Sequence, residues 1–102
     1  MKIYITLLLY IPILFIAVSQ EGSITGKITN DETGQALPGA VVLLETTQFA
    51  ASTDIEGEYS FTNVPAGEYV MKVTYIGYKE YSSTILHEEG RDLTVNIELE
   101  PV

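Results

Sequence analysis

The sequence predicts an all-β protein: a sandwich of about seven short strands of antiparallel type, preceded by an apolar N-terminal helix. Three observations predict this fold. Apolar and polar residues alternate over several short segments, as they do in strands with one buried face. Turn-forming residues separate these segments at intervals of roughly 8–12 residues. No segment after residue 20 has a helical period of useful length.

The clearest pattern lies in residues 53–78, which predict a β-hairpin between two turns. A polar turn at residues 54–57 ends in a glycine, which adopts positive φ without strain. Tyr59 and Phe61 then alternate with polar residues. A second turn follows at residues 63–67. The next strand has every second side chain on one face: Tyr69, Met71, Val73 and Tyr75.

The flanking segments predict the rest of the two sheets. Residues 23–29 form the first strand, and residues 40–46 are apolar on both faces, which is typical of a central strand. Residues 79–86 are polar and β-branched, which favours an edge strand. Residues 93–99 alternate cleanly and form the last strand. The predicted core is Ile24, Ile28, Ala40, Val42, Leu44, Tyr59, Phe61, Tyr69, Met71, Val73, Val95 and Ile97.

The first 19 residues have the features of a signal peptide. Lys2 supplies a positive start and residues 3–18 are an apolar run. The small residues Ala17 and Ser19 stand at the two sites that a signal peptidase needs, which allows cleavage before Gln20. The run is short for a membrane-spanning helix, which needs about 20 apolar residues. Residues 20–102 are therefore expected to form one exported domain, and a retained N-terminal anchor is the alternative.

Composition limits what the domain can bind. The chain contains no cysteine, so neither a disulfide scaffold nor attachment through a lipidated cysteine is available. The formal net charge is −9, and without Lys2 four basic residues face fourteen acidic ones. Nucleic acid is excluded as a partner because phosphate neutralisation needs clusters of Lys and Arg. The acidity is expected to keep an exported domain soluble.

The chain offers no catalytic constellation, so we expect a non-enzyme without cofactor or metal. His87 is the only histidine and is predicted to lie in a solvated charged loop at residues 87–92. Asp54, Glu56 and Glu58 invite a calcium interpretation, but the twelve-residue ligating loop pattern is absent. A polar turn is the favoured interpretation, and a weak surface cation stays open.

Tyrosines are the best candidates for a contact surface. Tyr59, Tyr69 and Tyr75 fall on the predicted inner face, where aromatic rings usually pack in the core. Tyr78 and Tyr81 are therefore the candidate residues for an exposed contact.

A covalent Lys–Asn bond between the first and last strands is a further possibility that the residue types allow. Lys27 and Asn96 lie on those strands, but both are out of phase with their apolar neighbours. Both side chains should face solvent, which argues against such a bond.

Several motifs make the chain resemble the carboxypeptidase regulatory-like domain. They are LPGA at residues 37–40, TD at residues 53–54 followed by Gly57 and Tyr59, and YIGY at residues 75–78. The resemblance covers residues 22–100 and implies a transthyretin-like sandwich of the immunoglobulin-like type. The chain departs from the family pattern at residues 46–47, where Gly-Thr is frequent, and at residues 49–50, where glycine and a small polar residue are usual.

The resemblance implies an accessory module rather than an enzyme. Placed after a signal peptide, it looks like the N-terminal extension of TonB-dependent outer-membrane receptors, especially those that import glycans. The chain is then expected to be a fragment or truncated copy of such a receptor, in the periplasm or outer membrane of a Gram-negative-type bacterium. Its partner is the remainder of the receptor or another envelope protein, and it meets the membrane only through that receptor or an uncleaved anchor. The alternative is a free-standing secreted module that binds carbohydrate or peptide.

Overall fold

A computed structural model describes residues 21–102; the predicted signal peptide lies outside them. These residues form eight strands and no helix. The strands are β1 (Gly22–Asn30), β2 (Val41–Leu44), β3 (Ala50–Ser52), β4 (Glu58–Val64), β5 (Gly67–Thr74), β6 (Tyr81–His87), β7 (Leu93–Thr94) and β8 (Ile97–Leu99). No helix within residues 21–102 has the length and hydropathy needed to cross a membrane.

The strands form two sheets packed as a sandwich, which confirms the predicted fold class. One sheet has the order β4-β1-β7, with β8 also paired to β1, and the other has the order β3-β2-β5-β6. As predicted, β2 is central and β6 lies at an edge. Most pairs are antiparallel, but β1 pairs in parallel with both β7 and β8.

The predicted last strand is interrupted, because the chain passes close over β1 at residues 95–96. The Val95 amide donates to the Thr25 carbonyl at 2.7 Å, and the Asn96 Oδ1 accepts from the Lys27 amide at 2.9 Å. A Cβ on Gly26 would lie only 1.8 Å from the Val95 oxygen. Lys27 and Asn96 expose their side chains, as their phase predicts.

The core lies between the sheets and contains most of the predicted residues. Tyr69 and Val95 are the exceptions, since both are half-buried at the rim of the core. Four further apolar residues are buried: Leu37, Val64, Ile85 and Leu99. Leu37 was missed because residues 37–40 were predicted to form a turn. In the structure its amide donates to the Ile28 carbonyl at 3.0 Å, and its side chain is buried.

The loop after β2 contains a strained residue where the sequence departs from the family pattern. Thr46 has φ of 61°, and a β-branched residue with positive φ is a true outlier. Its hydroxyl donates to the adjacent Glu45 carbonyl at 2.6 Å, so the hydroxyl has a partner despite the backbone strain.

Thr46→Gly should stabilise the protein, because glycine removes the clash of Cβ with the backbone at positive φ. We expect a gain of about 1 kcal/mol in the free energy of unfolding, measured by urea denaturation. Thr47→Gly is the matched control and should destabilise, because its hydroxyl donates to the Leu44 carbonyl at 2.7 Å and accepts from the Phe49 amide. A loss of stability in Thr46→Gly would contradict the inference that the backbone of Thr46 is strained.

Candidate interaction surface

The tyrosine loop, residues 75–78, presents an apolar side chain to solvent on a fixed turn. The Tyr78 amide donates to the Tyr75 carbonyl at 3.1 Å, and Gly77 adopts φ of 88°. This turn directs the side chain of Ile76 outward, where the residue is 97% exposed. An isoleucine held outside the core can contact a partner without any rearrangement of the sandwich.

The C-terminal residues pair with the tyrosine loop and hold it in place. The Lys79 amide donates to the Glu100 carbonyl at 2.8 Å, and the Val102 amide donates to the Gly77 carbonyl at 3.0 Å. The Lys79 Nζ also lies 3.0 Å from Glu100 Oε1. Val102 thus lies beside the loop and is itself exposed.

An open groove of about 700 Å³ runs along the tyrosine loop. It is lined by Gly39, Val41, Thr74, Tyr75, Ile76, Tyr78 and Glu80. The lining is mostly apolar and has one carboxylate, so it provides contact area but no acid–base pair for catalysis. Such a lining suits protein contact, or a ring-shaped ligand stacked on tyrosine.

The structure places the two predicted contact residues in different grooves. The Tyr78 ring packs 5.4 Å from the Tyr75 ring, and its hydroxyl accepts from Asn30 Nδ2 at 2.9 Å. Tyr81 pairs with Val73 in the ladder between β5 and β6 and lines a separate groove with Lys27 and other residues. Both tyrosines are half-buried, and their contact role stays a prediction.

The sequence prediction missed Ile76, which is more exposed than either tyrosine. The available signal was its position between Tyr75 and Gly77, in a turn rather than on the inner face of a strand. The strand periodicity of residues 69–75 drew attention to the tyrosines on either side instead.

The acidic residues at the turn before β4 use their oxygens to build that turn. Asp54 Oδ1 accepts from the amides of Glu56 and Glu58, each at 2.9 Å. Gly57 completes it with φ of 77°. The carboxylates of Asp54, Glu56 and Glu58 lie within 4.8 Å of one another and are exposed. The turn interpretation accounts for this geometry.

His87 does not lie in a solvated loop, so that prediction was wrong. It is the last residue of β6, two positions after the buried Ile85, and is 1% exposed. Its Nε2 lies 2.7 Å from the Arg91 carbonyl oxygen, and its Nδ1 lies 3.3 Å from the Pro65 carbonyl oxygen. The strand continues one residue further than the polar sequence suggested, and its alternation turns the imidazole inward.

Two groups near the last strands have shifted pKa values. The amide and hydroxyl of Ser23 donate to Asp92 Oδ1 at 3.0 and 2.8 Å, and these bonds lower the pKa of that exposed carboxyl. Burial raises the pKa of Tyr59, with a smaller contribution from Tyr81. Tyr59 therefore stays protonated and donates its hydroxyl to the Val95 carbonyl.

Two curated relatives are TonB-dependent receptors of Formosa agariphila. The receptor P39 is 32% identical over 97 residues, which is 95% of this chain but 9% of the receptor. The receptor P3 is 28% identical over 60 residues, which is 59% of this chain and 6% of the receptor. The chain thus spans less than a tenth of either relative.

The fold recurs in solved structures, and the family can be assigned from the sequence itself. The Bacillus anthracis TIE protein aligns with a TM-score of 0.68 and 24% identity, over 81% of this chain and 17% of that protein. The sequence model of the CarboxypepD_reg-like domain matches residues 24–102. This match includes all three motifs on which the resemblance rested, and the chain belongs to the CarboxypepD_reg-like domain family.

Proposed function

We propose that this chain is a non-catalytic accessory module of a TonB-dependent outer-membrane receptor for a nutrient, in particular a glycan. In this proposal residues 1–19 are a signal peptide and residues 20–102 are the interaction domain. The domain acts by protein contact on the periplasmic side of the outer membrane. The chain is then a fragment or truncated copy of the receptor.

The alignment with the receptor P39 carries this proposal. Residues 21–102 make up 82 positions, whereas the alignment extends over 97 residues. It therefore reaches into the apolar segment at residues 1–20 as well as the sandwich. An alignment with a much longer receptor that includes part of this segment supports a common order of an N-terminal segment followed by this domain.

The tyrosine loop supports a role by contact. Any chain that continued from Val102 would leave the domain beside Gly77, because the Val102 amide bonds to the Gly77 carbonyl. The exposed Ile76 and the groove beside it would then face whatever follows the domain. We assign the tyrosine loop as the surface that meets the rest of the receptor.

Reading the gene past codon 102 tests the receptor assignment, and photo-cross-linking in cells tests the surface. We expect an open frame that continues into a receptor. A cross-linking amino acid at position 76 should form an adduct with the receptor body or an envelope protein. The same amino acid at Ile55, which is 81% exposed in the turn before β4, is the control and should form none. Equal adducts at both positions would contradict the proposal, and a stop codon after Val102 would exclude the fragment and leave only the truncated copy.

A free-standing module that binds glycan is the alternative, and one observation favours it. Two tyrosines, Tyr75 and Tyr78, line the same groove, and aromatic rings are a common surface for sugar binding. Their planes are tilted by 55°, so they do not form one flat platform. A stop codon combined with binding on a glycan array, lost in Tyr78→Ala, would support this alternative.

A further inference from the structure

We propose that the outer edge of β6 binds an extended peptide segment of another protein, and that this segment is uncharged at its centre and basic at both ends. β6 is the last strand of its sheet and pairs only with β5 among the described residues. The two strands pair through seven consecutive residue pairs without a register shift. The other edge of β6 therefore presents a straight row of backbone groups that can form hydrogen bonds.

β6 lacks the features that usually protect a sheet edge. Natural edges carry lysine, proline or bulges, or are very short. The strand Tyr81–His87 contains no Lys, Arg, Asp, Glu or Pro, and its ladder with β5 has no bulge. Within residues 21–102 the remaining edges are different: β3 has three residues, β7 and β8 are short and interrupted, and β4 packs against β3.

The side chains along this edge suit an added strand. Ser82, Thr84 and Leu86 are exposed, and Leu86 keeps 64% of its surface accessible. On the opposite face of β6, Tyr81 is half-buried and Ile85 is buried. The side chains of an added strand would alternate between these two faces. An apolar side chain of the bound peptide on the exposed face would therefore cover Leu86.

Negative charge at both ends of β6 favours a partner that is basic at both ends. Glu80 precedes the strand, and Glu88 and Glu89 follow it. Lys72 and Arg91 lie 3.2 and 3.3 Å from the first two, in exposed pairs that contribute little. Three carboxylates therefore flank a neutral strand, and the remaining basic neighbour, Lys79, is paired with Glu100 at 3.0 Å.

The same charges disfavour a second copy of this chain as the partner. Antiparallel pairing of two β6 strands about Thr84 would place Glu80 of one copy opposite Glu88 of the other. Like charges directly opposite each other destabilise a strand pair. The protein is also strongly acidic overall. A partner with Lys or Arg at each end of an uncharged segment would instead place positive charge opposite Glu80 and Glu88.

Selection from a displayed library of random peptides, about ten residues long, tests this with the purified protein. We expect the selected peptides to carry Lys or Arg near both ends and β-branched residues between them. Amide hydrogen exchange should show slower exchange at alternate residues of β6 when a synthesised peptide binds. The same peptide with glutamate at both ends should bind at least about tenfold more weakly.

Leu86→Lys and Ile55→Lys form a matched pair of variants, since each replaces an exposed apolar residue and adds the same charge. Leu86→Lys should weaken binding at least about tenfold, and Ile55→Lys should leave it unchanged. Thr84→Lys, on the same face of β6, should behave like Leu86→Lys, and thermal melts check that all three fold. Exchange already slow at the β6 edge in the unbound protein would overturn the proposal. So would peptides that protect other residues, equal binding of the acidic-ended peptide, or dimers formed through β6.

Discussion

Gly26→Ala is expected to reduce the free energy of unfolding by about 3 kcal/mol, which is a large part of the total for a small domain. A Cβ at this position would lie 1.8 Å from the Val95 carbonyl oxygen and 2.7 Å from the Tyr59 hydroxyl. The first neighbour is backbone and cannot rotate away, so β1 and the segment after β7 would have to separate. That movement would also break the bond from the Val95 amide to the Thr25 carbonyl.

Gly34→Ala is the matched control for this prediction. Gly34 has φ of 74°, but no atom lies within 4 Å of a Cβ built there. Its substitution costs only the strain of a side chain at positive φ, about 1 kcal/mol. Urea denaturation of both variants separates the steric clash at Gly26 from the backbone strain at Gly34. Equal losses would show that the close approach over Gly26 does not limit the stability of the sandwich.

His87→Ala is expected to cost about 3 kcal/mol of stability, because it removes a fully buried side chain and leaves a cavity. It also leaves the Arg91 carbonyl without its partner at 2.7 Å, and the lost hydrogen bond adds to the cost. The imidazole links the end of β6 to the loop after it and to the turn at Pro65. We therefore expect faster amide exchange in both connected segments as well as a lower urea midpoint.

Leu86→Ala is the control for His87→Ala, because it truncates the neighbouring side chain on the exposed face of the same strand. It should change stability by less than about 0.5 kcal/mol. If His87→Ala were as mild as Leu86→Ala, the histidine would behave as a solvated group, as the charged sequence around it suggested.

The sequence was sufficient to predict most strands because local chemistry determines them. The turn at Asp54 is formed by the carboxylate of its own segment, and the alternation after Tyr69 fixes which face of β5 is buried. The central position of β2 followed from its two apolar faces. Membership of the family followed from short motifs that lie at turns.

What the sequence could not show depends on contacts between distant residues. His87 looks polar and local in the sequence, but its partners are carbonyl oxygens on two loops. Residues 93–99 look like one strand in the sequence, but at Val95 they cross over Gly26, which lies 69 residues earlier in the chain. Alternation also cannot distinguish parallel from antiparallel pairing, so the pairing of β7 and β8 with β1 was not foreseeable. For the contact surface, the tyrosines were visible, but the outward direction of Ile76 depends on the turn at Gly77.

The parallel pairing of β1 with β7 and β8 has a consequence for how the protein folds. β1 is the first strand of the sandwich, and two of its neighbours lie among the last residues of the chain. Until those residues are available, β1 lacks every partner on one of its edges, and a contact of such long sequence separation forms slowly. The first sheet of the sandwich can therefore be completed only when almost the whole domain has been synthesised, because its first strand waits for the last residues of the chain.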